Sequence, residues 1–318
     1  MKGLTDIDGI QVGHASDFDA LTGCTAILCP QGAVAGVDVR GGGTGTSEFD
    51  TMSPLHVTDV VHAVVLAGGS AFGLEAACGV RRFLAQHNVG FKTAYGLVPI
   101  VPSAILYDLG IGKSTVRPSR EMGEAAAAAA TSKAVVEGCV GAGTGATVGK
   151  LFGMSRAMKS GIGSATVFLE GPFAGVKVAA IAAVNSFGDV FDPEANKLIA
   201  GARESEKSMA LVNTSQSLKK GSTWSYQRQN TTLGVVATNA KLTKVQATKL
   251  AQLAQIGLTR TVQPAHTMFD GDMVIAMSHG TAEADLHALG IAAAEALATA
   301  IVRAVRLAKT MGGVPGLG

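Results

Sequence analysis

Short apolar runs bounded by glycine or polar residues recur along the chain, and they predict buried β-strands. One run spans residues 60–67, contains His62 as its single polar side chain, and ends at Gly68-Gly69. Further runs of this kind span residues 165–169, 176–184, 231–238 and 274–277. Several of them are apolar at nearly every position rather than at alternate positions, which indicates strands that are covered on both faces.

Longer stretches between these runs either carry apolar side chains at helical spacing or are rich in alanine. They span residues 74–84, 123–134, 244–256 and 283–308. Before the third stretch, Thr243 and Gln246 have the spacing of a capping box, in which the two side chains satisfy the first free amides of a helix. Strands and helices therefore interleave, and this pattern predicts sheet layers sandwiched between helices.

The segment of residues 201–230 differs from both kinds of stretch. It holds many charged and polar side chains, and Gly221-Ser222 interrupts it. We interpret it as an exposed, mobile connection. Thr231 follows directly and begins an apolar strand, so the chain is expected to pass at this point from a flexible stretch to a rigid one.

The composition narrows the classes of partner. Only 5% of the 318 residues are aromatic while 41 are glycine, which favours closely packed backbones over bulky cores. The formal net charge of +2 gives no electrostatic footprint for nucleic acid or for a membrane surface. No uninterrupted apolar run reaches the roughly 18 residues of a spanning helix, and the N-terminus lacks the apolar core of a signal peptide. We therefore expect a cytoplasmic protein without nucleic-acid or membrane partners.

A glycine-rich loop at residues 141–146 offers an alternative function. Its sequence Gly-Ala-Gly-Thr-Gly-Ala matches the dinucleotide-binding pattern, and Glu170 follows at a distance that suits a ribose hydroxyl. However, residues 147–160 have no clear helical stripe, and phosphate binding needs the helix N-terminus that such a stripe would supply. Tight turns near an active site explain the glycines more simply. Nucleotide binding is kept as the minor alternative.

Two carboxylates lie close together in Asp270-Gly271-Asp272, at the end of a loop that enters a strand. Taken alone, the motif is typical of an ordinary Asp-Gly turn. A calcium loop needs further acidic ligands downstream, and residues 273–276 offer none. The seven histidines show no paired metal spacing, and His266 is the one expected near the chemistry because it precedes the acidic pair. We expect neither a metal nor another cofactor.

An ordered set of motifs covers almost the whole chain, at residues 12–15, 22–25, 36–42, 68–74, 101–108, 141–150, 183–185, 230–233 and 266–272. Together these motifs resemble the P1 or S58 peptidases, a family of self-processing N-terminal-nucleophile hydrolases. The family includes the L-aminopeptidase/D-esterases, the β-peptidyl aminopeptidases and the nylon-oligomer endohydrolases. No single motif is specific, but the ordered set is.

The resemblance implies an α+β fold, a four-layer α/β/β/α sandwich like that of N-terminal-nucleophile hydrolases and ornithine acetyltransferases. It implies that residues 1–318 form one hydrolase domain that cleaves itself into a large subunit, 1–230, and a small subunit, 231–318. The processed αβ units are expected to assemble into homo-oligomers, as tetramers or larger. The expected substrates are small peptides or linear ω-amino-acid amides of the nylon type.

The resemblance also assigns roles to single residues. Thr231 matches the nucleophile, and Asn230 matches the residue before the scissile bond. Asn185 matches the oxyanion-stabilising asparagine, and Tyr107 matches an active-site tyrosine. The lysine and the two carboxylates of the nylon-oligomer branch match Lys150, Asp270 and Asp272. The aminopeptidase branch usually has a Ser-Gly-Glu element where this chain has Asp-Gly-Asp.

The chemistry of a threonine nucleophile agrees with these assignments. Before cleavage, the Thr231 hydroxyl can attack the preceding carbonyl and form an ester that water then hydrolyses. After cleavage, the new α-amine, with a typical pKa near 8, is tethered within reach of the hydroxyl and can take its proton. Both steps need a donor for the oxyanion, and Asn185 can supply an amide N–H. The carboxylates of Asp270 and Asp272 are expected to orient Lys150 and the threonine amine, or to hold a substrate's ammonium group.

Two alternatives on the same fold stay open at this point. One is a strict aminopeptidase/D-esterase. The other is an acyltransferase of the ornithine acetyltransferase type, which also uses a threonine exposed by self-cleavage. Ornithine added with an acetyl donor would distinguish the second alternative, because a hydrolase should ignore the amine acceptor.

Overall fold

The computed structural model of the protein describes residues 2–222 and 230–318. Within these two ranges, the sixteen strands are β1 (Gln11–Asp17), β2 (Thr22–Val39), β3 (Thr46–Ser47), β4 (Val61–Ala67), β5 (Phe91–Thr93), β6 (Gly96–Val98), β7 (Ser103–Ile105), β8 (Thr147–Val148), β9 (Met158–Lys159), β10 (Ile162–Phe168), β11 (Lys177–Asn185), β12 (Asp189–Asp192), β13 (Lys197–Ala200), β14 (Thr231–Ala240), β15 (Val262–Gln263) and β16 (Met273–Ala282). The five α-helices of the same ranges are α1 (Glu75–Gln86), α2 (Arg120–Ala128), α3 (Thr214–Lys219), α4 (Lys244–Thr261) and α5 (Leu286–Arg306).

Strand β2 connects the two main sheets, because its two halves have different partners. Residues 22–28 pair with β1 and β4, whereas residues 34–39 pair with β16. The pairing with β4 shifts register between Leu28 and Ala33. Gly32 lies in this break with a φ of +88°, a conformation that favours glycine. One sheet therefore has the order β1-β2-β4-β7-β3, and the other has the order β10-β11-β14-β16-β2.

The two sheets stack face to face, and helices cover the outer face of each. In β11, Ala179, Ile181 and Ala183 belong to the core between the sheets, together with Val64 and Leu66 of β4. The residues of β11 that alternate with them pack in a second core beneath α4 and α5. A third core lies between the other sheet and helices α1 and α2. Strands present alternate side chains to opposite faces, so the central strands are buried on both, and the predicted four-layer α/β/β/α sandwich is confirmed.

Glycine and alanine allow these layers to approach closely. A Cβ at Gly257 of α4 would lie 2.1 Å from Ala294 O of α5, and one at Gly163 of β10 would lie 2.0 Å from Ala300 O. Larger side chains are therefore excluded where α5 crosses its neighbours. Helix α5 is long and apolar enough to cross a membrane, but 72% of its most apolar window is buried inside the protein. Its apolar side chains serve the core.

The element ends show where local pattern yields to tertiary contacts. The predicted capping box at the start of α4 is confirmed, because Thr243 and Gln246 each accept a backbone hydrogen bond from the other. The alanine-rich stretch, predicted to be helical to residue 134, ends as a helix at Ala128. The reason is that Thr131 exchanges two backbone hydrogen bonds with Val12, of 3.0 and 3.1 Å. Pairing with the neighbourhood of β1 thus replaces the last helical turn.

The polar segment that begins at residue 201 is not the loose connection that the sequence predicts. Residues 204–207 are exposed as expected, but Ala202 and Arg203 are buried. The guanidinium of Arg203 donates to backbone oxygens, including that of Ser155 at 2.7 Å. The charged side chain of Arg203 is therefore buried and anchors the chain. A polar sequence pattern does not distinguish such an anchoring residue from a solvated one. Residues 223–229, the last part of the predicted connection, lie outside the described residues.

Asp189 clamps the same segment at a second place. Its buried carboxylate accepts hydrogen bonds from Ala202 N at 2.9 Å, from Thr214 N at 2.7 Å and from Thr214 Oγ1 at 2.7 Å. Burial raises the pKa of Asp189 to about 6, although these three donors oppose the shift. The chain that leads into α3 is therefore fixed to the strand that follows Asn185.

Candidate active site

Strand pairing brings the predicted nucleophile to one edge of the second sheet. Strands β11 and β14 are antiparallel, and their register sets Asn185, the last residue of β11, opposite Thr231, the first residue of β14. Strands β14 and β16 are parallel, so the residues that precede both strands lie at the same edge. There Asn230 forms an isolated bridge with Asp270. Residues that are distant in sequence therefore meet around the predicted scissile bond.

The peptide group between Asn230 and Thr231 is held by two donors. The Thr231 hydroxyl donates to Asn230 O at 2.5 Å, and Gly271 N donates to the same oxygen at 2.7 Å. A Cβ at Gly271 would lie 2.7 Å from Thr231 Oγ1, so only glycine fits beside the hydroxyl. Thr231 is 2% exposed. The nucleophile predicted from the sequence thus lies directly against the carbonyl that it is predicted to attack.

Asp272 binds the backbone next to the nucleophile. Its Oδ1 accepts from Thr232 N at 2.7 Å. Its Oδ2 accepts from His266 N at 2.8 Å and lies 3.1 Å from His266 Nδ1. His266, which is expected near the chemistry, therefore contacts the carboxylate that binds the backbone beside Thr231. Asp272 itself is fully buried, and it fixes the start of β14 through the backbone of the residue after Thr231.

Asp270 lies in the same loop but holds different groups. Its Oδ1 accepts from Phe187 N at 3.2 Å, and its Oδ2 accepts from Thr267 N at 3.2 Å and from the Thr267 hydroxyl. Burial, together with the nearby charge of Asp272, raises the pKa of Asp270 to about 6. Thr267 has no assigned role in the sequence analysis, because a threonine in a loop gives no signal of its partner.

Lys150 lies beneath the nucleophile's neighbour Asn185. It is 3% exposed, and its Nζ donates to Asn185 O and to Asn185 Oδ1, both at 2.8 Å. Burial lowers the pKa of Lys150 to about 7, although the charge of Asp270 opposes the shift. The salt bridges among the described residues include no pair between Lys150 and a carboxylate within 4.0 Å. Two oxygens of Asn185 therefore hold the ammonium group. The expected orientation of the lysine by Asp270 and Asp272 stays a prediction, and the charges of both carboxylates raise the pKa of Lys150.

Asn185 joins the lysine to the predicted tyrosine. Its Oδ1 accepts from Lys150 Nζ and, at 3.0 Å, from Thr147 N. Its Nδ2 donates to the backbone oxygen of Tyr107 at 2.8 Å. Asn185 is fully buried, so its amide group is fixed in one orientation by neighbours on both sides. The predicted oxyanion donor is thus a rigid group directly opposite Thr231.

A narrow pocket of about 10 Å³ has Lys150 in its lining, together with Tyr107, Asp108, Thr147 and Met154. Tyr107 is half-buried. Asp108 is buried, and its carboxylate accepts from Thr22 Oγ1 and from Gly69 N, both at 2.7 Å. Burial raises the pKa of Asp108. The sequence motif contains this aspartate, but nothing in the pattern marks it as part of a pocket with Lys150 and Tyr107.

The glycine-rich loop does not form the predicted alternative, a nucleotide site. Residues 141–146 are all buried, and their amides are used inside the protein: Gly141 N donates to Ser16 Oγ at 2.8 Å, and Ala142 N donates to Thr25 Oγ1 at 3.1 Å. No amide row is left there for a phosphate. Within residues 2–222 and 230–318, no group of three or more His, Cys, Asp or Glu side chains is placed to hold a metal ion.

Lys159 is a second buried lysine, and no pattern in the sequence marks it. Its Nζ donates to three backbone oxygens, of Gly143 at 3.2 Å, Ala146 at 2.8 Å and Ser160 at 2.7 Å. Burial lowers the pKa of Lys159 to about 8. The lysine thus holds the glycine-rich loop from within.

The chain is similar to known proteins along its whole length. The family model described as Peptidase family S58 matches residues 2–317. An uncharacterized aminopeptidase of Mycobacterium leprae is 39% identical, over 99% of this chain and 93% of that protein. A 6-aminohexanoate-oligomer endohydrolase of Kocuria sp. is 28% identical, over 95% of this chain and 85% of that protein.

Solved structures share the fold. A β-aminopeptidase from Burkholderia sp. aligns with a TM-score of 0.69 and 24% identity, over 100% of this chain and 91% of that chain. The L-aminopeptidase D-Ala-esterase/amidase from Ochrobactrum anthropi, a variant of the N-terminal-nucleophile hydrolase fold, aligns with a TM-score of 0.74 and 21% identity, over 99% and 88% of the two chains. The match over residues 2–317, together with the 39% identity to the Mycobacterium leprae relative, shows that the chain belongs to peptidase family S58.

Proposed function

We propose that the protein cleaves its own chain between Asn230 and Thr231 and then hydrolyses amide bonds with Thr231 as its N-terminal nucleophile. Membership of peptidase family S58 makes the chain a hydrolase of amide bonds. The observation that carries the finer proposal is the contact of the Thr231 hydroxyl with Asn230 O at 2.5 Å, at the start of a buried strand. The products of processing are a large subunit of residues 1–230 and a small subunit of residues 231–318.

Processing begins as an N-to-O acyl shift. The Thr231 oxygen forms a bond to the carbonyl carbon of Asn230, the peptide C–N bond breaks, and the hydroxyl proton ends on the departing nitrogen. The result is an ester between Asn230 and the Thr231 side chain, with a free α-amine on Thr231. Water then hydrolyses this ester and restores the hydroxyl. Asp272 supports this step because it fixes the backbone at Thr232 by a hydrogen bond of 2.7 Å.

Turnover uses the groups that processing has exposed. The α-amine of Thr231 takes the hydroxyl proton, and the oxygen bonds to the carbonyl carbon of the substrate amide. The substrate C–N bond then breaks, the departing amine takes that proton, and water hydrolyses the resulting ester and restores the hydroxyl. Lys150, whose pKa burial lowers to about 7, supplies a basic or cationic group according to pH. Asn185 lies opposite Thr231 in the strand register and is the side-chain donor for the oxyanion. Tyr107 borders the pocket that Lys150 also lines.

The two carboxylates favour one substrate class within the family. Asp270 and Asp272 are 1% and 0% exposed, and donors within the protein already engage both carboxylates. In the uncleaved chain, therefore, neither carboxylate is open to an incoming ammonium group. This supports linear amides of the nylon type or small peptides that are bound without a salt bridge to the N-terminus, over strict aminopeptidase action. The Asp-Gly-Asp element, which matches the nylon-oligomer branch, points the same way.

The substrate proposal is tested with one amide in two forms. The linear trimer of 6-aminohexanoate is compared with the same trimer acetylated at its amine, and the products are separated by chromatography. We expect both forms to be cleaved at rates within about tenfold of each other, because neither buried carboxylate binds the free amine. Cleavage of the free trimer alone would instead identify a strict aminopeptidase. Thr231→Ala is the control, and it should cleave neither form.

We further propose that the processed αβ units assemble into homo-oligomers, as tetramers or larger. The support for this is the resemblance to the self-processing family. Light scattering coupled to size-exclusion chromatography measures the mass directly. A mass of a single αβ unit at micromolar concentration would contradict the proposal.

A further inference from the structure

The glycine run at residues 41–43 fixes the backbone of the acidic loop. Gly41 N donates to Asp272 O at 3.0 Å, and Gly43 N donates to Asp270 O at 2.8 Å. A Cβ at Gly41 would lie 2.2 Å from Asp270 O and 2.4 Å from Asp272 N, so only glycine allows this approach. The peptide group between Asp270 and Gly271 is therefore held in one place by main-chain contacts on either side of it.

That peptide group presents its N–H to the scissile bond. We propose that Gly271 N–H is the oxyanion donor of self-cleavage, an inference that rests on the proposed function. Gly271 N lies 2.7 Å from Asn230 O, within the roughly 2.7–3.1 Å range of an effective oxyanion donor. The same oxygen receives the Thr231 hydroxyl, so the donor and the nucleophile meet at one carbonyl group.

The donor acts where negative charge develops. When Thr231 Oγ bonds to the carbonyl carbon of Asn230, the carbonyl oxygen becomes an oxyanion until the C–N bond breaks. A fixed N–H binds this oxyanion more strongly than it binds the neutral peptide oxygen, so it lowers the barrier. The glycine run keeps the donor from reorienting, which is the condition for such stabilisation.

The side chain expected in this role has a different partner in the uncleaved chain. Asn185 Nδ2 donates to the backbone oxygen of Tyr107 at 2.8 Å, while Lys150 and Thr147 hold its Oδ1. The backbone N–H of Gly271 thus contacts the scissile carbonyl group directly, and the oxyanion role proposed for the asparagine side chain belongs to turnover. A glycine at position 271 is required for space as well, because a Cβ would lie 2.7 Å from Thr231 Oγ1.

The test removes one N–H and leaves every side chain in place. Glycolic acid replaces Gly271 during cell-free synthesis of the full chain, so that an ester oxygen stands where the N–H was. The matched control places glycolic acid at Gly41, whose bond to Asp272 O is duplicated by Arg40 N at 3.0 Å. Self-cleavage is followed by intact mass over time, and thermal unfolding of both variants checks the fold.

We expect the ester at position 271 to slow self-cleavage about 100- to 1,000-fold, the usual loss for one oxyanion donor, and the ester at position 41 to slow it less than about threefold. If neither ester slows self-cleavage, the inference is overturned. Equal slowing of both would also overturn it, because the effect would then belong to loop damage. If wild type itself stays uncut, the proposed function fails, whereas a cut wild type with an unaffected ester at 271 refutes the donor alone.

A pair of ordinary variants tests the fixing of the loop separately. Gly41→Ala would force a Cβ against Asp270 O, whereas the nearest atom to a Cβ at Gly43 is 3.5 Å away. We expect Gly41→Ala to slow self-cleavage at least tenfold and Gly43→Ala to leave it within about twofold, at equal far-ultraviolet circular dichroism. Equal rates for the two alanine variants would contradict a donor that depends on the glycine run.

Discussion

Two buried lysines, nine residues apart in the chain, have different surroundings. The Nζ of Lys159 donates to three backbone oxygens, two of them in the glycine-rich loop and the third in Ser160, the residue after the lysine. Lys150 binds the carbonyl and the side-chain oxygen of one residue, Asn185, which lies opposite Thr231. Burial lowers both pKa values, to about 8 for Lys159 and about 7 for Lys150.

The difference teaches that a lowered pKa does not by itself mark a catalytic group. Lys159 donates to oxygens of residues that have no proposed role in the reaction, and it holds a loop whose residues are all buried. Lys150 is as deeply buried, but it lines the same pocket as Tyr107, and the charge of Asp270 raises its pKa. Neighbours beside the proposed scissile bond, rather than burial, distinguish the lysine with a proposed catalytic role from the structural one.

The largest effect should separate the two lysines directly. Lys150→Met should reduce self-cleavage and amide turnover by at least about 100-fold, the usual contribution of one acid–base group. Lys159→Met should lower the free energy of unfolding by about 1–3 kcal/mol, because three carbonyls lose a charged donor, and should retain at least about a tenth of the rate. Intact mass and urea unfolding measure the two quantities. Equal loss of rate in both variants would contradict a catalytic role for Lys150 and a structural role for Lys159.

The second effect concerns the carboxylates beside Lys150. Asp272→Ala should slow self-cleavage about 100-fold, because Thr232 N loses its acceptor at the start of β14. Asp270→Ala should slow it about tenfold, because Asp270 contacts Phe187 and Thr267 rather than the backbone of the nucleophile's strand. Time courses of cleavage at one pH give the ratio. No effect in either variant would contradict the placement of both groups in the site.

The pH dependence sharpens the role of Lys150. If its neutral amine serves self-cleavage, the rate should fall about tenfold for each pH unit below about 7 and level off above it. Asp270→Asn should move this midpoint to lower pH, because the charge of Asp270 raises the pKa of Lys150. A rate–pH profile of wild type and the variant checks both statements. A midpoint that is unchanged in Asp270→Asn would show that the profile does not report the titration of Lys150.

The smallest effect is on stability, and here both lysines should act alike. Between pH 8 and pH 10 the unfolded chain keeps protons on lysines whose ordinary pKa is near 10.4, whereas the folded chain has lost them. The unfolded state therefore binds more protons, and stability should rise with pH over this window, by at most about 1.4 kcal/mol per pH unit for each lysine. Lys159→Met should flatten the slope of the free energy of unfolding against pH. An unchanged slope would contradict the lowered pKa.

The sequence predicts the fold and the members of the site better than their contacts. Apolar runs located the central strands, and the register of β11 with β14 then sets Asn185 opposite Thr231. The resemblance supplied the residues that the structure brings to one edge. A sequence pattern does not show which group each polar side chain contacts in the folded chain. Lys150 has the expected place, but asparagine oxygens hold it instead of carboxylates.

Backbone groups are a second reason why the site is only partly predictable. Gly271 N and the glycine run at residues 41–43 contribute amides and close approach, and neither property depends on a side chain. Arg203 and Asp189 likewise fix a segment whose polar composition is typical of a solvated connection. In these places the tertiary contact, rather than the local pattern, decides whether a residue is exposed or anchored.

The central claim is that Thr231 cuts the chain in front of itself. Intact mass spectrometry under denaturing conditions, on freshly purified wild type beside Thr231→Ala, tests it most directly. We expect two wild-type fragments that correspond to residues 1–230 and 231–318, and a single uncut chain for Thr231→Ala. A wild-type chain that stays whole through long incubation, or a variant that is cut at the same bond, would contradict it.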